Sequence, residues 1–526
     1  HSNFYALGGN SLLGIRVISQ LRQSLSPEIS LRMLLAEPTV EGFSSTIEAH
    51  LLAKEEEDEK EDEIEAPPPP LDSEAMSQWQ FNTLQVLGML AISLLSIFGM
   101  LPGIGISLLI FTQFGLVTGM LCSPLILFIT TLSTATLGLA FKWVVIGRCR
   151  AGRYALWSPY FLKWWLCQRA QTTLITPLLT LLSGSSLVPV VLRMMGASVG
   201  ARTSIHTVAD LVGTSAFPVP DLVVIGDDAM IGEQVVLRCA MFESRSVLVL
   251  GPIVIGSGAV LCQRTIVSSS VDVGDDAIVG MLSVVPLGAE LPPKSQWLGN
   301  PLEERNAGGA KLINTVLSYG TGSSAWLMHS IMLLAMQWVN GVGSIFLPLL
   351  VIVYGPANLI PRIALAGVVR FILEIIPLPS ILIAAFVKHF VVGRLREGRY
   401  RWSLWERTRI WVASRLMSVL DGLAPEVKRW AARVFFGVKV GDEDSPNFGL
   451  QPAIGIDLLT VGDNFWYGMG ASYVCSATVG DEVELMPVLV GDGSLLSPGS
   501  LVGPGCRLGN RTMLGYGAAV QTGTQV

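Results

Sequence analysis

Two long stretches of the chain place an aliphatic residue at every sixth position. The first has them at positions 255, 261, 267, 273, 279 and 285, and the second at 490, 496, 502, 508, 514, 520 and 526. A β-strand alternates every two residues and a helix repeats about every 3.6, so neither accounts for this period. A coil with three flat sides does, because each side turns one aliphatic side chain inward. The pattern predicts two hexapeptide β-helices.

Small residues accompany the sixfold pattern. Glycine often follows the aliphatic position, as at Gly226, and a small residue often lies four positions after it, as at Ala229. We expect the glycine where a corner needs unusual backbone torsion angles, and the small residue where the corner is crowded. Four acids that follow such glycines are interpreted as turn-forming residues rather than catalytic acids: Asp227, Asp275, Asp463 and Asp492.

Two other stretches are apolar without a sixfold period. Residues 84–146 hold one charged residue, Lys142, and the whole chain is 51% hydrophobic with a mean hydropathy of +0.54. Such a stretch is long enough for two tilted or three tight membrane spans. A matching region at about 326–387 breaks at Gly355-Pro356, which favours two spans per copy. We therefore predict a multi-pass membrane protein.

A basic, aromatic segment follows each apolar stretch and indicates an internal duplication. Seven residues between Lys142 and Tyr154 reappear 246 positions later, between Lys388 and Tyr400. Positive charge beside a span is typical of the cytoplasmic side, so we expect the carrier and β-helix domains there. The tryptophans of these segments are interpreted as membrane-surface anchors rather than substrate clamps: Trp164, Trp165, Trp402, Trp405 and Trp411.

The N-terminal region differs in character from the rest of the chain. Residues 1–52 predict a small helical domain in which Ser11 begins a helix and Thr39 caps a later one. Lys54–Glu65 carries a net charge of −7 and Pro67–Pro70 follows it, which predicts an extended tether. The remainder is close to neutral, so no nucleic-acid partner is expected. The seven cysteines form no zinc-site spacing, so no metal is predicted.

The segment Phe4–Leu12 resembles the thiolation motif of non-ribosomal peptide synthetase carrier domains. In that family a serine after a Gly-Gly turn, here Ser11 after Gly8-Gly9, carries 4′-phosphopantetheine. Asn10 stands where the family usually has histidine, and a plain helix-capping serine is the alternative interpretation. The resemblance implies covalent 4′-phosphopantetheine on Ser11, installed by a phosphopantetheinyl transferase.

The sixfold stretches resemble the left-handed β-helix acyltransferase superfamily. The order of segments resembles the C-terminal half of ε-poly-L-lysine synthetase and related non-ribosomal peptide synthetases, although that family carries three tandem units and two are found here. The resemblance implies an upstream adenylation domain, in cis or in trans, that loads an amino acid. It also implies that the tandem C-terminal units form amide bonds.

These features predict a multidomain chain with a truncated α-helical carrier domain, transmembrane α-helices and two left-handed parallel β-helices. The predicted segments are the C-terminal part of the carrier domain (1–52), an acidic and proline-rich linker (53–80), a first transmembrane pair (81–147), a basic amphipathic stretch with the first β-helix (148–310), a second transmembrane pair (311–392), and a basic stretch with a second, truncated β-helix (393–526). We expect the two β-helices to pack side by side.

His206 is the candidate catalytic base. Forming an amide from a thioester needs a docked donor, a deprotonated amine and a stabilised oxyanion. Of five histidines, His206 is the one at the head of a hexapeptide domain, and Asp210 or Asp221 could orient its imidazole. A surface-loop histidine is the alternative. No histidine follows His389, so the second β-helix cannot use this route.

The sequence therefore predicts a membrane-bound acyl or aminoacyl transferase. It would form amide bonds from a carrier-bound aminoacyl thioester and an amino-acid or amine substrate, giving a poly-amino acid or a short peptide. Two alternatives stay open: an O- or N-acyltransferase that uses coenzyme A, and a non-catalytic scaffold or export region. Arg370 and Glu374, four apart in an apolar segment, predict either a structural ion pair or a polar passage.

Overall fold

A computed structural model divides the chain into two compact units, His1–Pro69 and Pro70–Val526. It describes residues 17–18, 20, 39, 41–48, 76–207, 216–243, 247–305, 316, 325, 327–331, 358, 360–361, 365, 368, 381–382, 385–386, 388–401, 403–406, 425–441, 456–468, 470–479 and 482–526. Most of the predicted second transmembrane pair lies outside these ranges. So do several residues singled out from the sequence: Ser11, Asp210, Arg370, Glu374, Trp402 and Trp411.

The first unit contains a helix at residues 41–48. The Thr39 hydroxyl accepts a hydrogen bond from the Gly42 N–H at 3.2 Å, which confirms Thr39 as the residue that caps this helix. Phe43 and Ile47 lie one helical turn apart and are both buried. The helix therefore presents one apolar face to the interior of its unit.

The second unit begins with a long helix, α1 (Gln78–Val145). Its N-terminus is closed by reciprocal hydrogen bonds between Ser77 and Gln80, a capping box. Gly115 interrupts it with a φ of 77°, which leaves a 38-residue and a 25-residue helical segment. Within the described residues these are the two helices that are long and apolar enough to span a bilayer.

The two segments of α1 run antiparallel and pack through small residues. A Cβ on Gly99 would lie 2.8 Å from the Cα of Thr134, and a Cβ on Gly103 would collide with the Thr130 hydroxyl. Glycines four residues apart on one face allow the backbones of two apolar helices to approach closely. A helical hairpin therefore accounts for residues 78–145, and it contains two candidate spans.

Short elements connect this hairpin to a stack of parallel strands. The helices are α2 (Pro159–Ala170), a π-helical turn (Gln171–Ile175), α3 (Thr176–Leu182) and α4 (Val188–Met194). The strands are β1 (Gly152–Ala155), β2 (Ser198–Val199), β3 (Ser204–Ile205), β4 (Val223–Ile225), β5 (Met230–Ile231), β6 (Val236–Leu237), β7 (Ala240–Glu243), β8 (Val247–Leu250), β9 (Ile253–Ile255), β10 (Val260–Leu261), β11 (Ile266–Val267), β12 (Val271–Val273), β13 (Ile278–Val279), β14 (Val284–Val285), β15 (Glu290–Leu291), β16 (Gln296–Leu298) and β17 (Glu303–Glu304).

Successive strands visit three parallel sheets in turn. The sheet orders are β2-β4-β9-β12-β15, β3-β5-β10-β13-β16 and β6-β11-β14, with β17 antiparallel at the edge of the second. Val260 pairs with Ile278, which lies three hexads further along, so three hexads make one coil. The aliphatic side chains at the sixfold positions 255–285 are all buried inside the stack. The predicted three-sided coil with an aliphatic interior is confirmed.

The glycine that follows each aliphatic residue has a different role from the one predicted. Gly226 does not adopt a positive φ, but a Cβ there would lie 2.5 Å from the Ser257 nitrogen of the next coil. The unusual torsion lies two positions later, where Asp228 has a φ of 57° and Gly258 a φ of 69°. The corner glycine is thus required by the close approach of stacked coils. The small residue beyond it, Ala229, is fully buried as predicted.

The acids beside these glycines connect one coil to the next. The Asp275 Oδ1 accepts a hydrogen bond from the Ser257 N–H at 2.7 Å. The Asp492 Oδ1 accepts one from the Asp463 N–H at 2.8 Å. Each carboxylate satisfies a backbone donor at a corner, so these residues are structural, as the sequence indicated.

A hairpin leaves the first stack without disturbing its register. Strands β7 and β8 form an antiparallel hairpin, to which β1 adds as a third strand. Val223 on β4 therefore pairs with Ile253 on β9, five hexads further along instead of three. The Arg153 guanidinium lies 2.6 Å from Glu243 and fastens β1 to the hairpin.

The second copy repeats this architecture. Its elements are a π-helical turn (Lys388–Val392), β18 (Gly398–Arg401), α5 (Pro425–Phe436), β19 (Lys439–Val440), β20 (Leu459–Val461), β21 (Trp466–Tyr467), β22 (Ser472–Tyr473), β23 (Ser476–Val479), β24 (Glu482–Leu485), β25 (Val488–Val490), β26 (Leu495–Leu496), β27 (Leu501–Val502), β28 (Arg507–Leu508), β29 (Met513–Leu514) and β30 (Ala519–Val520). The three parallel sheets are β19-β20-β25-β28, β21-β26-β29 and β22-β27-β30, and β18 adds to the β23–β24 hairpin. Leu459 pairs with Val488, one residue short of five hexads, so this hairpin excursion is one residue shorter than the first.

The two coil stacks contact each other directly. Val260 and Met281 of the first stack share an apolar cluster with Leu501 of the second. The buried guanidinium of Arg264 donates to the carbonyl oxygens of Gly499 and Ser500, at 3.1 and 3.3 Å. The prediction that the two β-helices pack side by side therefore agrees with the structure.

Candidate functional site

A buried ion pair joins the end of α1 to the first coil stack. Lys142 lies in the last turn of α1, and Asp221 lies in the 3-10 turn just before β4. The Lys142 Nζ lies 2.8 Å from the Asp221 Oδ1, and the side chains are 10% and 3% exposed. In the second copy the Lys388 Nζ lies 2.7 Å from the Asp457 Oδ2. Asp221 therefore pairs with Lys142 and does not orient His206, which corrects one of the two options from the sequence.

Other contacts confirm the duplication. The Tyr154 hydroxyl donates to the Arg150 carbonyl at 3.0 Å, and the Tyr400 hydroxyl donates to the Arg396 carbonyl at 2.8 Å. Both tyrosines end the repeated basic segment. Because the same local bonds form twice, the 246-residue repeat reflects two structurally equivalent units.

Cysteines that are buried, or half-buried in the case of Cys149, lie near the first ion pair and elsewhere in the stacks. Burial raises the pKa of the Cys149 thiol to about 12, with the neighbouring Asp221 carboxylate acting in the same direction. Burial likewise raises the pKa values of Cys167, Cys239 and Cys475 to about 12. A thiol with such a pKa stays protonated near neutral pH, so these four residues are not thiolate nucleophiles.

His206 lies at the end of β3, inside the protein. His206 is 6% exposed. Its backbone N–H donates to the Ile231 carbonyl at 2.9 Å, and its backbone carbonyl accepts a hydrogen bond from the Ser183 hydroxyl at 2.6 Å. The His206 Nε2 lies 3.2 Å from the Ser204 hydroxyl oxygen. The alternative interpretation of a surface-loop histidine is therefore wrong. Its role as a base stays a prediction, as does the role of Asp210.

A cleft of about 730 Å³ opens between α2, the β7 strand and the third sheet of the first stack. Its apolar wall consists of Phe161, Trp164 and Phe242, whose ring centroids lie 5.7 to 6.4 Å apart. The Arg169 guanidinium lies 5.2 Å from the Trp165 ring at the rim. The volume is typical of a site for a small organic molecule or cofactor.

The charge of the cleft is positive. Arg169 and Arg238 both line it, and none of the described residues that line it is acidic. Both arginines are exposed, and neither forms an ion pair with another described residue. Trp164 is 8% exposed, and its indole Nε1 has no hydrogen-bond partner within the described part of the chain. The described lining of the cleft thus offers cationic donors from two arginines.

The sequence carried part of the signal for this cleft. Positions 161, 164, 165, 168, 169 and 172 all line it, and they follow the spacing of one helix face. Trp164 is buried against the β7–β8 hairpin and was wrongly interpreted as a membrane-surface anchor. The opposing wall could not be anticipated, because it comes from an excursion that the sixfold pattern does not predict.

The arrangement favours binding of an anionic organic molecule over metal chemistry. Arginine and tryptophan supply only donors, which suit phosphate or carboxylate oxygens. Throughout the described ranges, no three His, Cys, Asp or Glu side chains lie close enough together to hold a metal ion.

Comparison with known protein families identifies the N-terminal region. Residues 1–47 match the phosphopantetheine attachment site family. Delta-poly-L-ornithine synthetase of Acinetobacter baumannii is 28% identical over 161 residues, which cover 30% of this chain and 12% of that protein. A linear gramicidin synthase of Brevibacillus parabrevis is 44% identical over 48 residues, 9% of this chain and 1% of that protein. The chain thus matches only a small part of the length of these relatives.

Solved structures also resemble part of the chain. A maltose O-acetyltransferase from Clostridium difficile is 18% identical with a TM-score of 0.22, covering 31% of this chain and 95% of that one. A hexapeptide-repeat acetyltransferase from Vibrio cholerae is 16% identical with a TM-score of 0.21, covering 27% and 88%.

The sequence comparisons confirm the predicted carrier region and its covalent 4′-phosphopantetheine. They also confirm the predicted similarity to poly-amino-acid synthetases. A carrier region implies a phosphopantetheinyl transferase and synthetase partners. The assignment of the attachment to Ser11 stays a prediction.

Proposed function

We propose that the chain is the membrane-bound, amide-forming region of a non-ribosomal peptide synthetase. It would act as an aminoacyl transferase that joins a carrier-bound aminoacyl thioester to an amine, giving a poly-amino acid or a short peptide. The observation that supports this most is the presence, in one chain, of a phosphopantetheine carrier region and two equivalent coil units. A CoA-dependent acyltransferase would have no need for a carrier region.

The surface of α1 supports membrane attachment. Large apolar side chains on both of its segments are exposed, including Phe98, Leu108, Phe114 and Leu121. Such a surface is stable in a bilayer and costly in water. We propose a multi-pass protein whose left-handed coils lie on the cytoplasmic side, where the basic segment after α1 would meet the membrane surface.

Each candidate residue has a proposed role. When attached to Ser11, phosphopantetheine supplies the thiol that carries the aminoacyl group. His206 is proposed to accept the proton of the attacking amine, and Asp210 to orient its imidazole. The hydrogen bond between the His206 Nε2 and Ser204 supports this by holding the ring in one orientation.

Ser11→Ala in the synthetase with its adenylation domain tests the carrier step. We expect normal ATP-dependent activation of the amino acid but no covalent loading, measured by intact-protein mass spectrometry with a panel of amino acids. Ser24→Ala is the matched control and should load normally. Loading of the Ser11→Ala protein would show that the carrier assignment is wrong.

His206→Gln tests the transfer step separately. This variant should load normally and form amide product at least about a hundredfold more slowly, which is the usual contribution of a general base. Product formed from acyl-CoA donors by Ser11→Ala protein would instead identify a CoA-dependent transferase.

A further inference from the structure

We infer that the cleft beside α2 binds the phosphate and pantetheine chain of the carrier arm, and so is the docking site for the donor in the first of the two repeated copies. This rests on the proposed function for the origin of the ligand. The proposed ligand is an extended chain with amide groups that ends in a phosphate ester.

The phosphate would lie between Arg169 and Arg238. Both arginines line the cleft, and neither forms an ion pair with a described acid. Because the described lining holds no carboxylate, both arginines would attract an anion bound in the cleft. Arginine matches the geometry of phosphate oxygens with paired N–H donors, so this rim is suited to a phosphate group.

The chain of the arm would lie along the aromatic wall. Pantetheine contains methylene and gem-dimethyl groups, which pack on aromatic rings, and amide carbonyls, which accept hydrogen bonds. Phe161, Trp164 and Phe242 provide the apolar surface.

The second copy lacks an arginine at the position that corresponds to Arg238. Cys239 and Cys475 occupy equivalent positions before the hairpins, so Arg238 corresponds to Val474 and the charge is lost. Val474 packs instead against the apolar cluster between the two stacks. Donor docking is therefore assigned to the first copy alone, the copy that also holds His206.

Binding of free 4′-phosphopantetheine to the full chain in detergent tests this assignment. The measurements use the Ser11→Ala background, in which no covalent arm competes, and isothermal titration calorimetry. Arg238→Gln and Arg169→Gln should each weaken binding by roughly tenfold or more, because each removes a charge-assisted contact. Arg507→Gln, an exposed arginine of the second stack, is the matched control and should bind like the parent. Pantetheine without its phosphate should bind equally to all variants.

An unchanged dissociation constant in Arg238→Gln and Arg169→Gln would overturn the inference. So would arginine-dependent binding of phosphatidylglycerol nanodiscs with no binding of phosphopantetheine, because the cleft would then hold a lipid headgroup. Amide formation by the complete synthetase separates the two proposals. Normal amide product from the arginine variants would contradict this docking site and leave the proposed function intact. Arginine-dependent binding of phosphopantetheine by a synthetase that forms no amide product would support the docking site and contradict the proposed function.

Discussion

The Lys142 ammonium and the Asp221 carboxylate form a buried ion pair that ties the last turn of α1 to the start of the first coil stack. The residues are 79 positions apart, and the pair recurs as Lys388 and Asp457. A buried charge without its partner is costly, so each pair fixes how a stack is attached to the segment that precedes it.

Lys142→Met should therefore destabilise the protein by about 3–5 kcal/mol, because Asp221 would be left buried and uncompensated. The measurement is chemical or thermal unfolding in detergent. The double variant Lys142→Met/Asp221→Leu should recover most of the loss, since no charge remains buried. Lys163→Met, at an exposed position on α2, should change little. Equal stability of Lys142→Met and the parent would show that the pair is not structural.

The corner geometry predicts that removing a glycine and introducing one have different effects on stability. Gly226→Ala should destabilise by about 1–3 kcal/mol, because its Cβ would meet the backbone of the next coil at 2.5 Å. Lys294 has a φ of 61° and an exposed side chain, so Lys294→Gly should cause no loss of stability. Thermal unfolding of the two variants in parallel decides this. A stable Gly226→Ala protein would contradict the close approach of the coils.

Arg264 is predicted to hold the two stacks together. Arg264→Met would remove the donors to Gly499 and Ser500 at a buried interface, at a cost of about 1.5–3 kcal/mol. In the Arg264→Met protein we expect the two stacks to unfold in two separate transitions, whereas the parent should show one. Differential scanning calorimetry measures this. Arg507→Met serves as the control for loss of a charge alone. A single transition at the parental temperature would argue against a stabilising interface.

Because of the buried thiols, the free energy of unfolding should decrease at alkaline pH. In the folded protein, burial raises the pKa values of Cys149, Cys167, Cys239 and Cys475 from 9.0 to about 12. Above pH 9 the unfolded chain releases protons that the folded chain retains, so stability should fall as the pH rises from 9 towards 12. These thiols should also resist iodoacetamide until denaturant is added. Rapid alkylation of the native protein, located by peptide mass spectrometry, would show that they are accessible.

The sequence predicted those features that repeat locally. The three-sided coils, their buried aliphatic positions and the duplication between Lys142 and Lys388 all follow from spacing alone. The positive φ three residues after each aliphatic position was missed, because Arg202, Asp228 and Gln234 adopt it as well as glycine. No local pattern identifies these residues as left-handed.

Features formed by distant segments were beyond the sequence. Lys142 and Asp221 are 79 positions apart, and neither lies in a sequence motif from which its partner could be predicted. The sequence pattern could indicate one wall of the cleft, because its residues share one face of α2. The other wall depends on where the β7–β8 hairpin folds back. The burial of His206 likewise depends on Ser183 and Ile231, which reach it from separate elements.

The hairpin excursions have a consequence for how the two copies can diverge. In coils without a hairpin, paired strands lie three hexads apart along the chain. Across the first hairpin they lie five hexads apart, and across the second hairpin the separation is one residue less than five hexads. Length has changed by one residue inside the loop, yet the hexads on both sides keep their pairing. Insertions and deletions are thus tolerated where the chain leaves the stack, while the same change within a coil would rotate every later side chain out of place.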